Sequence, residues 1–193
     1  MSRTYAGPLM NERAAIELHN TLHAVAGEPV DGLADPASAE AFVTAVAPRL
    51  AVRDLPEGEW PTATELTALR QAVREALHAS VEGAAQDAAT LEAITAIAGQ
   101  APTSLRAELG ADGAPTAVVD HHGATRAQSV LAAMAIDAIE LITGPDRGKL
   151  RACHAPGCAL YYLKDHPRRQ WCSNTCGNRA RQARHYQRTR RPG

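Results

Sequence analysis

All four cysteines of this 193-residue chain fall close to its C-terminal end, as a Cys-x4-Cys pair (Cys153, Cys158) and a Cys-x3-Cys pair (Cys172, Cys176) separated by thirteen residues. Zinc takes four ligands at tetrahedral corners about 2.3 Å away, and two short cysteine loops joined by a hairpin-length spacer supply them without strain. Pro156-Gly157 lets the first loop turn tightly into a knuckle. The run Leu160-Tyr161-Tyr162-Leu163, a turn at His166-Pro167-Arg168-Arg169 and a return through Gln170-Trp171 read as two short strands. Ser173 reads as an N-cap, which places Cys176 in the first turn of a helix. The expected module is a treble-clef-like finger of knuckle, short hairpin and helix. With all four ligands drawn from the protein, one Zn2+ is expected, structural rather than catalytic.

Two other uses of four cysteines fit less well. Disulfides need an oxidising compartment, and nothing from Met1 to Met10 reads as a secretion signal. An iron–sulfur cluster is disfavoured because neither pair has ferredoxin spacing.

The helix beginning near Cys176 continues as an arginine-rich tail. Arg181, Arg184, Arg188 and Arg191 recur at spacings of three, four and three. At 100° per residue they share one narrow face. Ala183 and Tyr186 are expected opposite, packed back on the finger, with Arg179 beside them as a structural arginine. Residues 147–193 hold twelve Lys/Arg against one acid, Asp165, whereas residues 1–146 hold eight basic and twenty acidic residues. A near-neutral chain thus divides into an acidic body and a basic end, the pattern of nucleic-acid binding. Arg181, Arg184, Arg188 and Arg191 are the candidate contacts, with Lys164, Arg168 and Arg169 assisting from the hairpin.

Cys176-Gly177-Asn178-Arg179, with Cys153, Cys158 and Cys172 at these spacings, resembles the CGNR zinc finger that closes a family of bacterial proteins with an N-terminal ABATE domain. Asn20-Thr21-Leu22-His23, Gly27-Glu28-Pro29-Val30-Asp31-Gly32-Leu33 and Pro145-Asp146-Arg147 are similar to other motifs of that family. Leu18 departs from it, standing where a phenylalanine is expected. The resemblance implies a stress-induced transcription regulator, with domains at 1–146 (ABATE-like, helical, a sensor or dimerisation unit) and 147–193 (finger and basic helix). Because the motif places polar side chains where a structural helix needs none, Asn20, His23 and Asp31 are candidate ligand-pocket residues. The alternative role for them is local capping of the Gly27–Leu33 loop.

The rest of the body reads as mainly α with one β-hairpin. A first helix is expected over Asn11–Ala26, with Leu18, Leu22 and Val25 inward. Asp35-Pro36 opens a second helix to Val46, and a linker follows from Pro48 to Pro61. Thr62 and Glu65 form a capping box ahead of a Leu66, Leu69, Val73, Leu77 stripe. Asp87 caps a helix with Leu91, Ile94 and Ile97 inward. Ser104–Leu109 and Thr116–Asp120 flank a turn at Gly110–Gly113. Ala124–Thr143 is uncharged from Ala127 to Ile136 and should be the central buried helix. His19 and His23 lie four apart without an acidic third ligand, and the doubled His121-His122 falls on opposite strand faces. Neither pair is expected to bind metal.

No run approaches the roughly 18 apolar residues that a membrane helix needs, so the chain is expected to be soluble and cytoplasmic. It carries no G-x-S-x-G elbow, Walker loop or dinucleotide fingerprint, and its cysteines are committed to metal. It is read as a non-enzyme: a DNA-binding regulator, with an RNA-binding protein or a protein-interaction finger as the alternatives. A small-molecule effector and a homodimer are compatible with that reading.

Overall fold

The computed structural model describes residues 4–25, 27–52 and 54–189. Helices α1 (Ala14–Asn20), α2 (Pro36–Val46), α3 (Ala63–Glu82), α4 (Ala88–Ala98) and α5 (Arg126–Thr143) form the body, and α6 (Asn174–Thr189) follows the cysteines. Three antiparallel hairpins accompany them: β1 (Leu22–Val25) with β2 (Glu28–Asp31), β3 (Ser104–Leu109) with β4 (Pro115–Asp120), and β5 (Leu150–Ala152) with β6 (Tyr161–Leu163). The fold is about half helical, with small strand pairs and the four cysteines gathered near its C-terminal end.

Local chemistry fixes where the helices start. The Asp35 carboxylate accepts from Ser38 N at 3.0 Å, with Pro36 in the first turn of α2. Thr62 and Glu65 close a full capping box on α3, and Asp87 accepts from Thr90 N at 2.8 Å on α4. Thr125 and Gln128 make a second capping box on α5, a pairing the sequence reading passed over. Each such cap is worth about 1 kcal/mol.

The core lies where α3 and α4 pack on α5, with α1 and α2 alongside. Phe42, Leu66, Leu69, Val73, Leu77, Ile94, Met134 and Leu141 are fully buried there. The periodic stripes of α3 and α5 are therefore packing surfaces. Ile136 departs from the all-round burial expected of α5 and stands 44% exposed.

The first helix is shorter than its sequence suggests. It ends at Asn20, where Thr21 Oγ1 turns back to Leu18 O at 2.7 Å, and the next four residues become β1. His23, Ala24 and Val25 pair with Val30, Pro29 and Glu28, and Gly27 supplies the positive φ (95°) that the tight return needs. Among the described residues, the body thus holds two hairpins where one was expected. Of the three residues expected inward, Leu18 is fully buried, Leu22 is half-buried and Val25 is exposed. Among the described residues, no helix is long and apolar enough to cross a membrane.

Candidate metal centre and basic helix

The strand partner of Tyr161–Leu163 is not the Gln170-Trp171 segment. It is Leu150–Ala152, paired as Leu150 with Leu163 and Ala152 with Tyr161. The first cysteine pair therefore sits at the tip of the β5–β6 hairpin. Cys153 N donates to Leu160 O at 2.8 Å to close the hairpin, and Cys158 N donates to Ala155 O at 3.0 Å across the knuckle. Gly157 takes a φ of 69° there, which its lack of a Cβ permits. The second pair sits at the root of α6. Ser173 Oγ accepts from Cys176 N at 3.2 Å and Ser173 O accepts from Gly177 N at 3.1 Å, the N-cap read from the sequence.

Knuckle and helix root converge. The four Sγ atoms lie within 4.8 Å of one another, with Cys172 to Cys176 at 3.4 Å and Cys158 to Cys172 at 3.8 Å. Four sulfurs 2.3 Å from a central zinc would stand roughly 3.8 Å apart, so the residues present fit the ion. Cys153, Cys172 and Cys176 are buried and Cys158 is half-buried. The thiols perturb one another strongly. Hydrogen bonds from Cys158 and Cys172 favour the Cys153 thiolate, and the same bond pushes Cys158 up to about 11. Four thiolates coexist here only around a cation, which is what a structural zinc supplies.

The residues after Cys176 each have a local task. Gly177 lies against the indole of Trp171, whose Cδ1 would stand 3.0 Å from any added Cβ. The Asn178 carbonyl oxygen accepts from the Arg181 guanidinium, one turn along the same face. Arg179 turns inward, with Nη2 donating to Cys176 Sγ at 3.1 Å and Nη1 over Gly157 of the knuckle. Hydrogen bonding to the Cys176 sulfur, ahead of every other influence, raises its pKa. An N–H donor on a ligating thiolate offsets the net negative charge of a four-cysteine zinc site.

Beyond Ala180, α6 leaves the protein surface. Its buried residues are Cys176, Gly177 and Ala180, and Arg181, Arg184 and Arg188 are all exposed. Tyr186 is 67% exposed and does not pack back on the finger, because the helix has no neighbour at that height. Arg191 lies outside the described residues.

Arg168 and Arg181 both line an open groove of about 690 Å³ at the N-terminus of α6, together with Trp171, Ser173, Asn174 and Gly177. Arg169 also borders that groove, but its guanidinium is committed elsewhere. It pairs with Glu12 and Asp165, donates to Leu163 O at 2.9 Å and lies 4.9 Å from the Tyr162 ring. Lys164 is half-buried where its backbone N–H joins Lys149 O. Trp171 and Asn178 did not stand out in the sequence as site residues. The three-residue spacing of Asn178 and Arg181 on one helix is the signal that would have found the latter.

Among the described residues, Asn20, His23 and Asp31 each have their own hydrogen-bond partners. Asn20 is fully buried and spends its amide on the backbone of Tyr161. Asp31 accepts from Arg70 Nη2 at 2.7 Å and from Leu33 N at 2.9 Å, and the Arg70 bond leads the causes that hold its pKa below the ordinary carboxylate value. His23 bonds Thr21 O at 3.1 Å and borders a cleft of about 190 Å³ beside Gly157, Cys158 and Arg179.

Comparison with known proteins agrees with this layout. No curated protein sequence matches the chain. The CGNR zinc finger model matches residues 149–189, so the four clustered cysteines form one structural zinc site. The ABATE model, described as "Putative stress-induced transcription regulator", matches residues 12–145, and on that match, which covers more than half of the sequence, the chain belongs to the ABATE family and carries a CGNR zinc finger behind its helical body.

Proposed function

We propose that this protein regulates transcription by binding duplex DNA through α6, and that residues 1–146 form the regulatory body while 147–193 form the binding end. The observation that carries the reading is the exposed face of Arg181, Arg184 and Arg188 on a helix whose root is fixed by the zinc site. The ligation holds the helix start, and α6 from Arg181 to Thr189 projects clear of the body. A helix fits the major groove of B-DNA, where arginine reads guanine in bidentate fashion, while the A-form groove of RNA is too narrow to admit side chains. The groove at the start of α6 supports the same reading. Its exposed Arg168, with Arg181 and the positive end of the helix dipole, suits one phosphate of the backbone.

The test is a salt titration of binding to duplex DNA, single strands and RNA by wild type and by an Arg181/Arg184/Arg188→Ala triple variant. Each phosphate contact removed should lower the slope of log K against log salt by roughly one, and a base-reading arginine should cost about 1–3 kcal/mol at one position. Unchanged affinity in a triple variant that still holds zinc would move the reading to a protein-interaction finger.

A further inference from the structure

The β3–β4 hairpin stands away from the core, and every residue of β3 is exposed. Its two faces differ sharply. Leu105 pairs with Val119, Ala107 with Ala117 and Leu109 with Pro115, so one face is wholly apolar, and Leu105 and Leu109 are 72% and 80% exposed. The other face carries Arg106 and Glu108, joined by an ion pair at 2.8 Å. An exposed strand edge beside an apolar face is a template for another strand, and proteins usually guard it with like charges that repel a second copy.

This edge is built the other way. Read outward from Ala107, the strand is Arg106 and Glu108, then Leu105 and Leu109. Two such strands laid antiparallel about Ala107 set Arg106 opposite Glu108 of the second copy, twice, and Leu105 opposite Leu109, twice. The backbone has the matching register. Gly110 N donates to Ala114 O at 2.8 Å, so the inward hydrogen-bonded positions of β3 are Glu108, Arg106 and Ser104. Alternation then turns the N–H and C=O groups of Leu105, Ala107 and Leu109 to the free edge. Those three residues are the ones that a dyad at Ala107 requires to be hydrogen-bonded.

We propose that β3 is the dyad edge of a homodimer, in which two copies of this chain join their hairpins into one four-stranded antiparallel sheet. The occupant is a second copy because charge, apolar positions and hydrogen-bond register are all self-complementary about one residue, as a two-fold interface demands. A partner with a different sequence would meet this edge without that match. A contact of this size falls below the area of tight complexes, so the dimer should be reversible in the micromolar range.

Analytical ultracentrifugation of the full zinc-loaded chain, without nucleic acid, tests this independently of the DNA reading. The mass should shift from one chain to two as concentration rises. Ala107→Pro removes a donor that faces outward, leaves the inward ladder of the hairpin intact, and should hold the protein at one chain. Arg106→Glu and Glu108→Arg should each be monomeric alone, and an equimolar mixture of the two should recover the dimer. Zinc content and thermal transition should match wild type in all three. A one-chain mass for wild type at every concentration overturns the proposal. So does a dimer that survives Ala107→Pro and both charge variants, which would place the interface on another face. If Ala107→Pro fails to fold, the mixing experiment still decides.

Discussion

Asn20 and Tyr161 exchange two hydrogen bonds across 141 residues of sequence, Nδ2 to the tyrosine carbonyl at 3.0 Å and the tyrosine N–H to Oδ1 at 2.8 Å. One side-chain amide thus serves as a peptide group on the open edge of β6, and it joins the helical body to the hairpin that carries the knuckle. Glu12 repeats the device, accepting from Leu163 N at 3.1 Å and pairing with Arg169.

Asn20→Ala should leave a buried N–H and a buried C=O without partners. Each unpaired group costs about 1–3 kcal/mol, so a loss of roughly 3 kcal/mol is expected in urea denaturation. Asn20→Asp keeps the acceptor but sets a buried carboxylate against the Tyr161 carbonyl, so at neutral pH it should destabilise at least as much as alanine. Wild-type stability in the alanine variant would mean that this junction contributes nothing.

Metal analysis should find one zinc per chain, and chelation should do more than unfold the finger. Leu150 and Tyr161 belong to the same apolar core as the body helices, whereas the cysteines form a separate small cluster with Ala155 and Tyr162. Loss of a ligation energy on the order of 10 kcal/mol should melt the knuckle and α6 and also lower the melting temperature of the body. Circular dichroism before and after chelation reads both effects. A body transition that does not move would show the finger to be energetically separate.

Arg179 and Arg181 stand two residues apart and should behave as opposites. Arg179→Ala removes the donor to Cys176 Sγ and should weaken zinc retention roughly 10- to 100-fold against a competing chelator. Arg181→Ala should leave zinc retention unchanged and weaken nucleic-acid binding. Equal zinc affinity in the two variants would remove the role assigned to Arg179.

His19 should contribute acid sensitivity to the body. It is 2% exposed and lies 3.9 Å from the Tyr161 ring between centroids, with the Ala159 backbone beside it. Burial, followed by the charge of Arg74, lowers its pKa to about 3. The unfolded chain takes up the proton near the ordinary histidine value and the folded chain refuses it. Stability is therefore complete above about pH 6.5 and falls by up to roughly 1.4 kcal/mol per pH unit between there and pH 3. Urea denaturation at pH 7, 6 and 5 should show this slope in wild type and a flatter one in His19→Phe. Parallel slopes would assign the acid sensitivity to other groups.

The sequence by itself determined the features that depend on near neighbours. Cysteine spacing, the Ser173 cap, the Thr62–Glu65 box and the Gly110–Gly113 turn are legible because the interacting atoms lie within a few residues, and the structure has them where the spacing puts them. Arginine periodicity is legible for the same reason, since helical phase is a local property. Tertiary structure decided which strands pair, how far the first helix runs and which polar groups are spent. Nothing local in Leu150–Ala152 marks it as the partner of Tyr161–Leu163. The helix from Ala14 stops at Asn20, short of its hydrophobic pattern, where the Asn20 amide meets a strand edge far along the chain and Gly27 lets the next residues fold back. Arg169 looks like a surface cation in the sequence and Arg179 like a structural one, and only packing turns the first to Glu12 and gives the second a thiolate as its partner. Charge is written in the residue, but its partner is set by distances that the chain acquires only on folding.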